Sequence, residues 1–329
     1  MKRIKVNYVD FHPAFDINKD EFMIALRQRY EVEISDHPDF LFYSMFGQDH
    51  LKYDCVRIFY TGEAFVPDFN QCDYAIGFDR LVLGDRYLRA PIYLLNEFKP
   101  NYQALLTRRE VTMEELKQRK FCSFVVSNCF ADDIRTKILD KVNEYRTVDS
   151  GGRYRNNIGG AVKDKTAFQQ NYRFSIAFEN CSYRGYTTEK IVDAFAAYTI
   201  PVYYGDPDVI LDFNEEAFIN CHRYKDFDEV LDVIKEIDNN DELALKMLNA
   251  DPLVTRQDPD LVRPFLYHIF DQEPEDARRR PVSMYTKAQQ ERILRHNFFE
   301  KNVYKYWKKG KNEVVRLKTG TRLTSRRTK

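Results

Sequence analysis

The sequence predicts an α/β protein of two domains, and three observations carry that reading. Short apolar strands alternate with helical or loop segments through the first third of the chain. The alternation restarts at Phe121 with FCSFVVSN, after a charged, helix-forming stretch from Arg108 to Lys120. From Phe174 to Tyr204 the pattern runs strand, loop, helix, strand within about 30 residues, which is a βαβ unit. A length of 329 residues exceeds one small core and suits two domains of about 100 to 200 residues each.

In chain order, Ile4–Val9, Phe40–Tyr43, Val56–Tyr60 and Tyr74–Ile76 read as strands, and Lys19–Arg29 has helical spacing. Phe121 opens the second set, followed by the strand Phe174–Phe178, a helix over Thr187–Tyr198 and the strand Ile200–Tyr204. The right-handed crossover of that last unit puts both strand ends on one rim, where doubly wound sheets bind ligands. Beyond the Asp- and Pro-rich stretch 251–264, helices lead into a basic tail. The domains are therefore expected at 1–120, 121–270 and, for the helices and tail, 271–329.

Composition excludes several classes. With 43% hydrophobic residues, 22 Tyr and 25 Phe, the chain has ample material for packed cores and is not globally disordered. The 51 basic and 51 acidic residues cancel, but 11 Lys/Arg and one acid lie in 301–329, leaving 40 basic against 50 acidic before it. A tail of about +10 on a body of about −10 points to an anionic partner for the tail. Phe299, Val303, Tyr306 and Trp307 with interleaved lysines suit a membrane-surface helix; a stripe packed on the body is the alternative. Nucleic acid is not expected, because the basic run has no binding module around it. The N-terminus MKRIKVNYVDFHPAF reads as a first strand and not a signal peptide, and no run of 18 apolar residues exists. Six scattered cysteines without a C-x-x-C pair suggest reduced thiols in a cytosolic protein.

The densest chemistry lies between Gly151 and Gly205. GGRYRNNIGG flanks Arg153 and Arg155 with four glycines, which suits either close approach to a phosphate or a solvated basic loop. It is neither a P-loop nor a dinucleotide fingerprint. Next, the strand Phe174–Phe178 delivers Glu179 and Asn180 to its end, and Thr187 or Thr188 can cap a helix starting with Glu189 and Lys190. An acid and an amine at a helix start suit the ribose and diphosphate of a sugar nucleotide; a capping carboxylate and a surface lysine are the bland alternative. Glu63 emerges past the strand Val56–Tyr60, where Tyr60 and Phe65 could desolvate a base; an exposed loop glutamate is the other reading. Asp206-Pro207-Asp208 spells a metal-nucleotide pattern but follows Gly205 at a strand end, so it reads as a turn, and no obligatory metal is expected.

These residues resemble a known family. FENCSYRGYTTEKIVDAFAAYTIPVYYGDPDV is similar to the donor-binding signature of the α1,3/4-fucosyltransferases, glycosyltransferase family 10, in which FEN is followed by Y-x-T-E-K, a helix and a P-V-Y-x-G turn. SGGRYRNNIG, SFVVSN (Ser123–Asn128), FYTGE, CDYAIGFD (Cys72–Asp79) and DRYLRAPIY (Asp85–Tyr93) extend the likeness over roughly residues 56–255, with the bacterial soluble branch favoured over the animal enzymes. Two departures stand out: the seven-residue repeats of some bacterial members are absent, and Cys181 follows Asn180 where Ser or Thr is common. The resemblance implies a GT-B fold, two Rossmann-like domains facing a central crevice. It implies inverting transfer of L-fucose from GDP-β-L-fucose to the 3-hydroxyl or 4-hydroxyl of GlcNAc or Glc in a galactosyl-GlcNAc or lactose-type acceptor. Lewis-type glycans on a lipopolysaccharide O-antigen would be the product, with no obligatory cofactor. Glu63 corresponds to the catalytic base, and Arg155, Asn180, Tyr186, Glu189 and Lys190 to donor-binding residues, with Asn128 and Glu179 as additional donor-site positions. The tail would hold a cytoplasmic enzyme at anionic inner-leaflet lipid. The alternatives are a non-enzymatic sugar-nucleotide or membrane-surface binding module, and a transferase using another nucleotide sugar.

Overall fold

The computed structural model describes residues 1–127 and 133–299. The first half comprises β1 (Arg3–Val9), α1 (Glu21–Arg29), β2 (Glu31–Ile34), β3 (Phe40–Tyr43), β4 (Val56–Tyr60), β5 (Tyr74–Gly77), β6 (Tyr87–Arg89) and α2 (Lys99–Leu105). Its six strands form one parallel sheet in the order β2-β1-β3-β4-β5-β6. The central strands β3 and β4 are buried at every position, as strands of a parallel sheet covered on both faces must be, and Arg57 of β4 is accommodated by donating to Tyr53 O and Gln71 O. Helix α1 starts at Glu21 and not Lys19 because Asp20 is its N-cap, accepting from Met23 N at 3.3 Å.

The second half comprises α3 (Met113–Lys117), β7 (Lys120–Phe124), α4 (Ile134–Asn143), β8 (Val148–Ser150), α5 (Lys165–Gln169), β9 (Tyr172–Phe178), α6 (Glu189–Ala196), β10 (Ile200–Tyr204), β11 (Ile219–Asn220), α7 (Phe227–Asp238), α8 (Asp241–Asn249), α9 (Val262–Phe270) and α10 (Met284–Phe299). Its strands form a second parallel sheet, β11-β10-β9-β7-β8. Pro201 is tolerated in β10 because the β11 ladder begins only at Val202. The charged stretch 108–120 is helical only over Met113–Lys117, where Thr112 and Glu115 form a capping box.

The sheets are separate, but the chain is not divided as its order along the sequence suggests. Val262, Leu266, Ile269 and Phe270 of α9 pack into the first core with Ile4, Val6, Phe22 and Phe40, so residues expected with the second domain close the first one. Conversely, Tyr93, Tyr102 and Leu105 from around α2 pack with Ile191, Val192 and Phe195 of α6. Apolar contact decides both placements, since each segment carries a stripe with no other surface to bury it on. Arg80 and Arg89 of the first domain converge on Asp212 of the second at 2.8 and 2.6 Å, and Asn101 reaches Asp193 at 2.7 Å. The C-terminal ends of β4 and β9 consequently open onto one crevice.

Helix α10 has no buried residue, and Met284, Tyr285, Phe298 and Phe299 on it are exposed. Val303, Tyr306, Trp307 and the remaining basic tail lie outside the described residues, as do Asn128 and Cys129. Cys55, Cys72, Cys122 and Cys221 are buried free thiols. Among the described residues no helix is long and apolar enough to cross a membrane.

Candidate active site

A crevice of about 560 Å³ runs between the domains, lined from the first by Thr61, Gly62 and Glu63 after β4 and from the second by Asn180, Tyr186, Thr188, Glu189 and Lys190. Five of the sequence-derived site residues, Glu63, Asn180, Tyr186, Glu189 and Lys190, thus meet in one cavity. Glu63 comes from the loop after β4, and the other four from the connection between β9 and α6 and the first turn of that helix.

On the second-domain wall, β9 ends at Phe178 in register with Tyr204, and Glu179 N donates to Tyr204 O at 2.8 Å. The Glu179 side chain therefore turns inward and is fully buried. Its carboxylate accepts from Thr188 N (2.7 Å), Thr188 Oγ1 (2.6 Å) and Lys190 Nζ (2.7 Å). Glu179 does not line the crevice; burial makes it the post to which Thr188 and Lys190 of the crevice wall are tied. Thr188 occupies the N-cap of α6 but gives its hydroxyl proton to Glu179, so its side chain does not accept from the helix amides. The positive end of α6 therefore faces the crevice together with Lys190. Burial works against the Lys190 ammonium, but Glu179 and Glu189 raise its proton affinity above the ordinary lysine value. Two of its three donors are used, on Glu179 and on Thr188 Oγ1 at 2.9 Å. Glu189 is opposed by burial, yet Lys190 and Lys165 hold its carboxyl below the usual glutamate range, so it is an anion at neutral pH.

Tyr186 is 1% exposed and sits edge-on to Phe78 of the first domain, centroids 5.1 Å apart. Burial, then Glu179, then Glu63 raise its phenol well above the ordinary tyrosine value, and Glu63 and Tyr186 line the same crevice. Glu63 itself is exposed, with its N–H on Thr61 Oγ1 at 3.1 Å. The expected apolar enclosure is only partial: Tyr60 lines the crevice from the first core, edge-on to Phe22, whereas Phe65 lies on Phe59 and is 45% exposed.

Arg155 is not brought to the crevice. It adopts φ +49 and is exposed, paired with Asp140 of α4. A different arginine takes the position beside the second-domain wall: Arg135, 4% exposed, donates to Asn180 Oδ1 at 3.2 Å, and its charge is felt by Lys190. Sequence reasoning missed it because IRTKILDKVN reads as an ordinary charged helix. Asp206 is fully buried and accepts from Gly185 N (2.7 Å), Asp208 N (2.8 Å) and Thr187 Oγ1 (3.2 Å), which organises the turn and the loop before α6. Among the described residues no group of three His, Cys, Asp or Glu side chains could hold a metal ion.

Two Rossmann-like domains whose strand ends face a shared crevice, a carboxylate on one wall and an ammonium at a helix N-terminus on the other, make the GT-B architecture. Residues 6–96 match the "Alpha-(1,3)-fucosyltransferase FucT N-terminal domain" and residues 115–249 the "Glycosyltransferase family 10 (fucosyltransferase) C-term". Crystal structures of an α1,3-fucosyltransferase with GDP-fucose and with GDP are each 31% identical, with TM-scores of 0.68 and 0.70, covering 83% and 85% of this chain and 92% and 93% of theirs. The α-(1,3)-fucosyltransferase FucT of Helicobacter pylori is 38% identical over 267 residues, 70% of this chain. The chain spans 55% of that relative's length. The chain belongs to glycosyltransferase family 10.

Proposed function

We propose that this protein transfers L-fucose from GDP-β-L-fucose, with inversion, to the 3-hydroxyl of GlcNAc or Glc in a β-galactoside acceptor, the 4-hydroxyl being the alternative. The observation that carries this reading is the meeting of Glu63 with Asn180, Glu189 and Lys190 in one interdomain crevice. Likeness to crystal structures of an α1,3-fucosyltransferase with GDP-fucose and with GDP supports the choice of donor.

The diphosphate is already a good leaving group, so the protein must deprotonate the acceptor, align it, and hold the charge that develops on phosphate. Glu63 takes the acceptor hydroxyl proton as its oxygen bonds to the anomeric carbon. On the opposite face the bond from that carbon to the phosphate oxygen breaks, and its electron pair leaves on GDP. Lys190 and the α6 N-terminus neutralise that charge, Glu189 accepts from the ribose hydroxyls, and Asn180 and Tyr186 border the fucose. Arg155 reaches the diphosphate by exchanging Asp140 for it. No metal ion is needed where fixed cations do this work, and EDTA is expected to leave activity intact. The basic tail would seat the protein on anionic lipid, and the product would be a Lewis-type glycan.

The test is release of GDP only when a glycan acceptor is present, with the linkage of the product read by NMR on a small acceptor panel. GDP-fucose binding without turnover on any acceptor would leave a sugar-nucleotide binding module instead.

A further inference from the structure

The two walls of the crevice are chemically unlike. The second-domain wall is polar and charged, whereas Phe11, His12, Phe15 and Phe46 line the first-domain side. Phe46 is 49% exposed while Phe40, Phe42 and Phe59 nearby are buried. An aromatic ring left open inside a cleft, where the fold could have buried it, is a contact held for a ligand.

These rings are held rigidly. Phe11 and Phe15 stack with centroids 4.2 Å apart, Phe15 lies on Tyr8 at 5.8 Å, and Tyr8 lies on Phe42 at 4.7 Å, so a pile of rings runs from the core to the crevice. The two loops that carry them are clamped by Asp10. Its carbonyl accepts from Phe46 N at 3.0 Å, and its carboxylate accepts from Asp49 N and His50 N, both at 2.9 Å, and meets His50 Nδ1 at 2.7 Å. Asp10 takes a left-handed φ of +61 to do so, and Gly47 leaves it room, since a Cβ there would lie 2.2 Å from Asp10 Oδ1.

The rings of Phe11, Phe15 and Phe46 offer nothing to a diphosphate. They match the C–H face of a pyranose, and the acceptor must lie along this wall for its hydroxyl to reach Glu63. We infer that Phe11, Phe15 and Phe46 form an acceptor platform that stacks on the galactosyl ring of a β-galactoside, with Glu97 at the crevice edge accepting from its hydroxyls. The axial 4-hydroxyl of galactose leaves three C–H bonds on one face of that ring, which is the apolar surface such a platform needs. This inference rests on the transferase reading above.

The experiment compares wild type with Phe46→Ala, Phe46→Leu and Phe46→Trp; the side chain is half exposed, so the core is not at stake. At saturating GDP-fucose the Ala and Leu variants are expected to raise the KM for a β-galactosyl-GlcNAc acceptor about five- to tenfold, and Trp to restore it. GDP affinity and slow acceptor-independent hydrolysis of GDP-fucose should not change, and with GlcNAc alone as acceptor the four proteins should behave alike. An unchanged acceptor KM in Phe46→Ala overturns the inference, and so does a loss of GDP affinity, which would put the guanine on the platform. If wild type transfers to no acceptor, the transferase reading fails by itself. Saturation-transfer NMR with lactose then still decides the platform: a lactose signal seen with wild type and abolished by Phe46→Ala supports it, and no signal with wild type overturns it.

Discussion

Lys190 Nζ lies 2.7 Å from a carboxylate oxygen of Glu179 that solvent cannot reach. The pair ties the crevice cation to the end of β9, so the residue proposed to meet the diphosphate also neutralises a buried charge. Removing Lys190 therefore has two effects. Lys190→Ala is expected to weaken GDP binding by tenfold or more and to cost about 3 to 5 kcal/mol of stability, because an unpaired carboxylate stays behind. The double variant Glu179→Gln, Lys190→Met should recover most of the stability and none of the GDP affinity. Calorimetry with GDP and urea midpoints on both proteins separate the two effects; recovery of GDP binding in the double variant would put the diphosphate elsewhere.

Glu63 stands exposed on the opposite wall. Glu63→Gln is expected to lower kcat by about two to four orders of magnitude, the usual worth of a positioned base, with GDP affinity nearly unchanged. Near-normal turnover would remove Glu63 from the reaction.

Arg155 and Asp140 test whether the glycine loop turns toward the donor. An exposed pair is worth about 0 to 1 kcal/mol, so Asp140 is a weak competitor for the arginine. Arg155→Ala should weaken GDP binding, and Asp140→Asn should strengthen it by no more than about fivefold. Unchanged affinity in both would assign the diphosphate to Lys190 and Arg135 alone.

Asp20 gives the fold a pH dependence. Burial raises its carboxyl from 3.8 to about 6, against the opposing effect of the hydrogen bond from Tyr8 OH at 2.9 Å. A raised folded-state value favours the protonated form, so the associated stability is complete below pH 3.8 and is lost as pH rises through about 6. The loss amounts to about 3 kcal/mol. Asp20→Asn has no proton to lose, and its stability relative to wild type should climb over that window. Urea midpoints from about pH 4 to pH 7 that run parallel in the two proteins would show that Asp20 does not titrate there.

Much of this arrangement was legible in the linear pattern. Phe40–Tyr43, Val56–Tyr60 and Ile200–Tyr204 read as strands with the bounds they take in the fold, because a strand buried on both faces is a short, predominantly apolar run closed by turn residues, Arg57 being the polar exception. The FEN and T-E-K segments put Asn180 just past a strand end and Glu189 and Lys190 at a helix start, and all three line the crevice, since a strand end and a helix start lie close together along the chain.

What the linear pattern could not settle depends on partners far along the chain. Glu179 looks like a ligand contact until β10 pairs beside β9 and turns it inward onto Thr188 and Lys190. Arg155 reads as a phosphate contact, but α4 brings Asp140 to it, so it would have to exchange partners to reach one, and Arg135 looks like a surface residue until the same helix buries it beside Asn180. Helix α9 and the segment around α2 change domains because each buries its apolar stripe on the nearest surface that accepts one, whatever its position in sequence. Period and turn chemistry are local properties of a chain, whereas burial and ion pairing belong to pairs of residues, and only folding decides which residues become pairs.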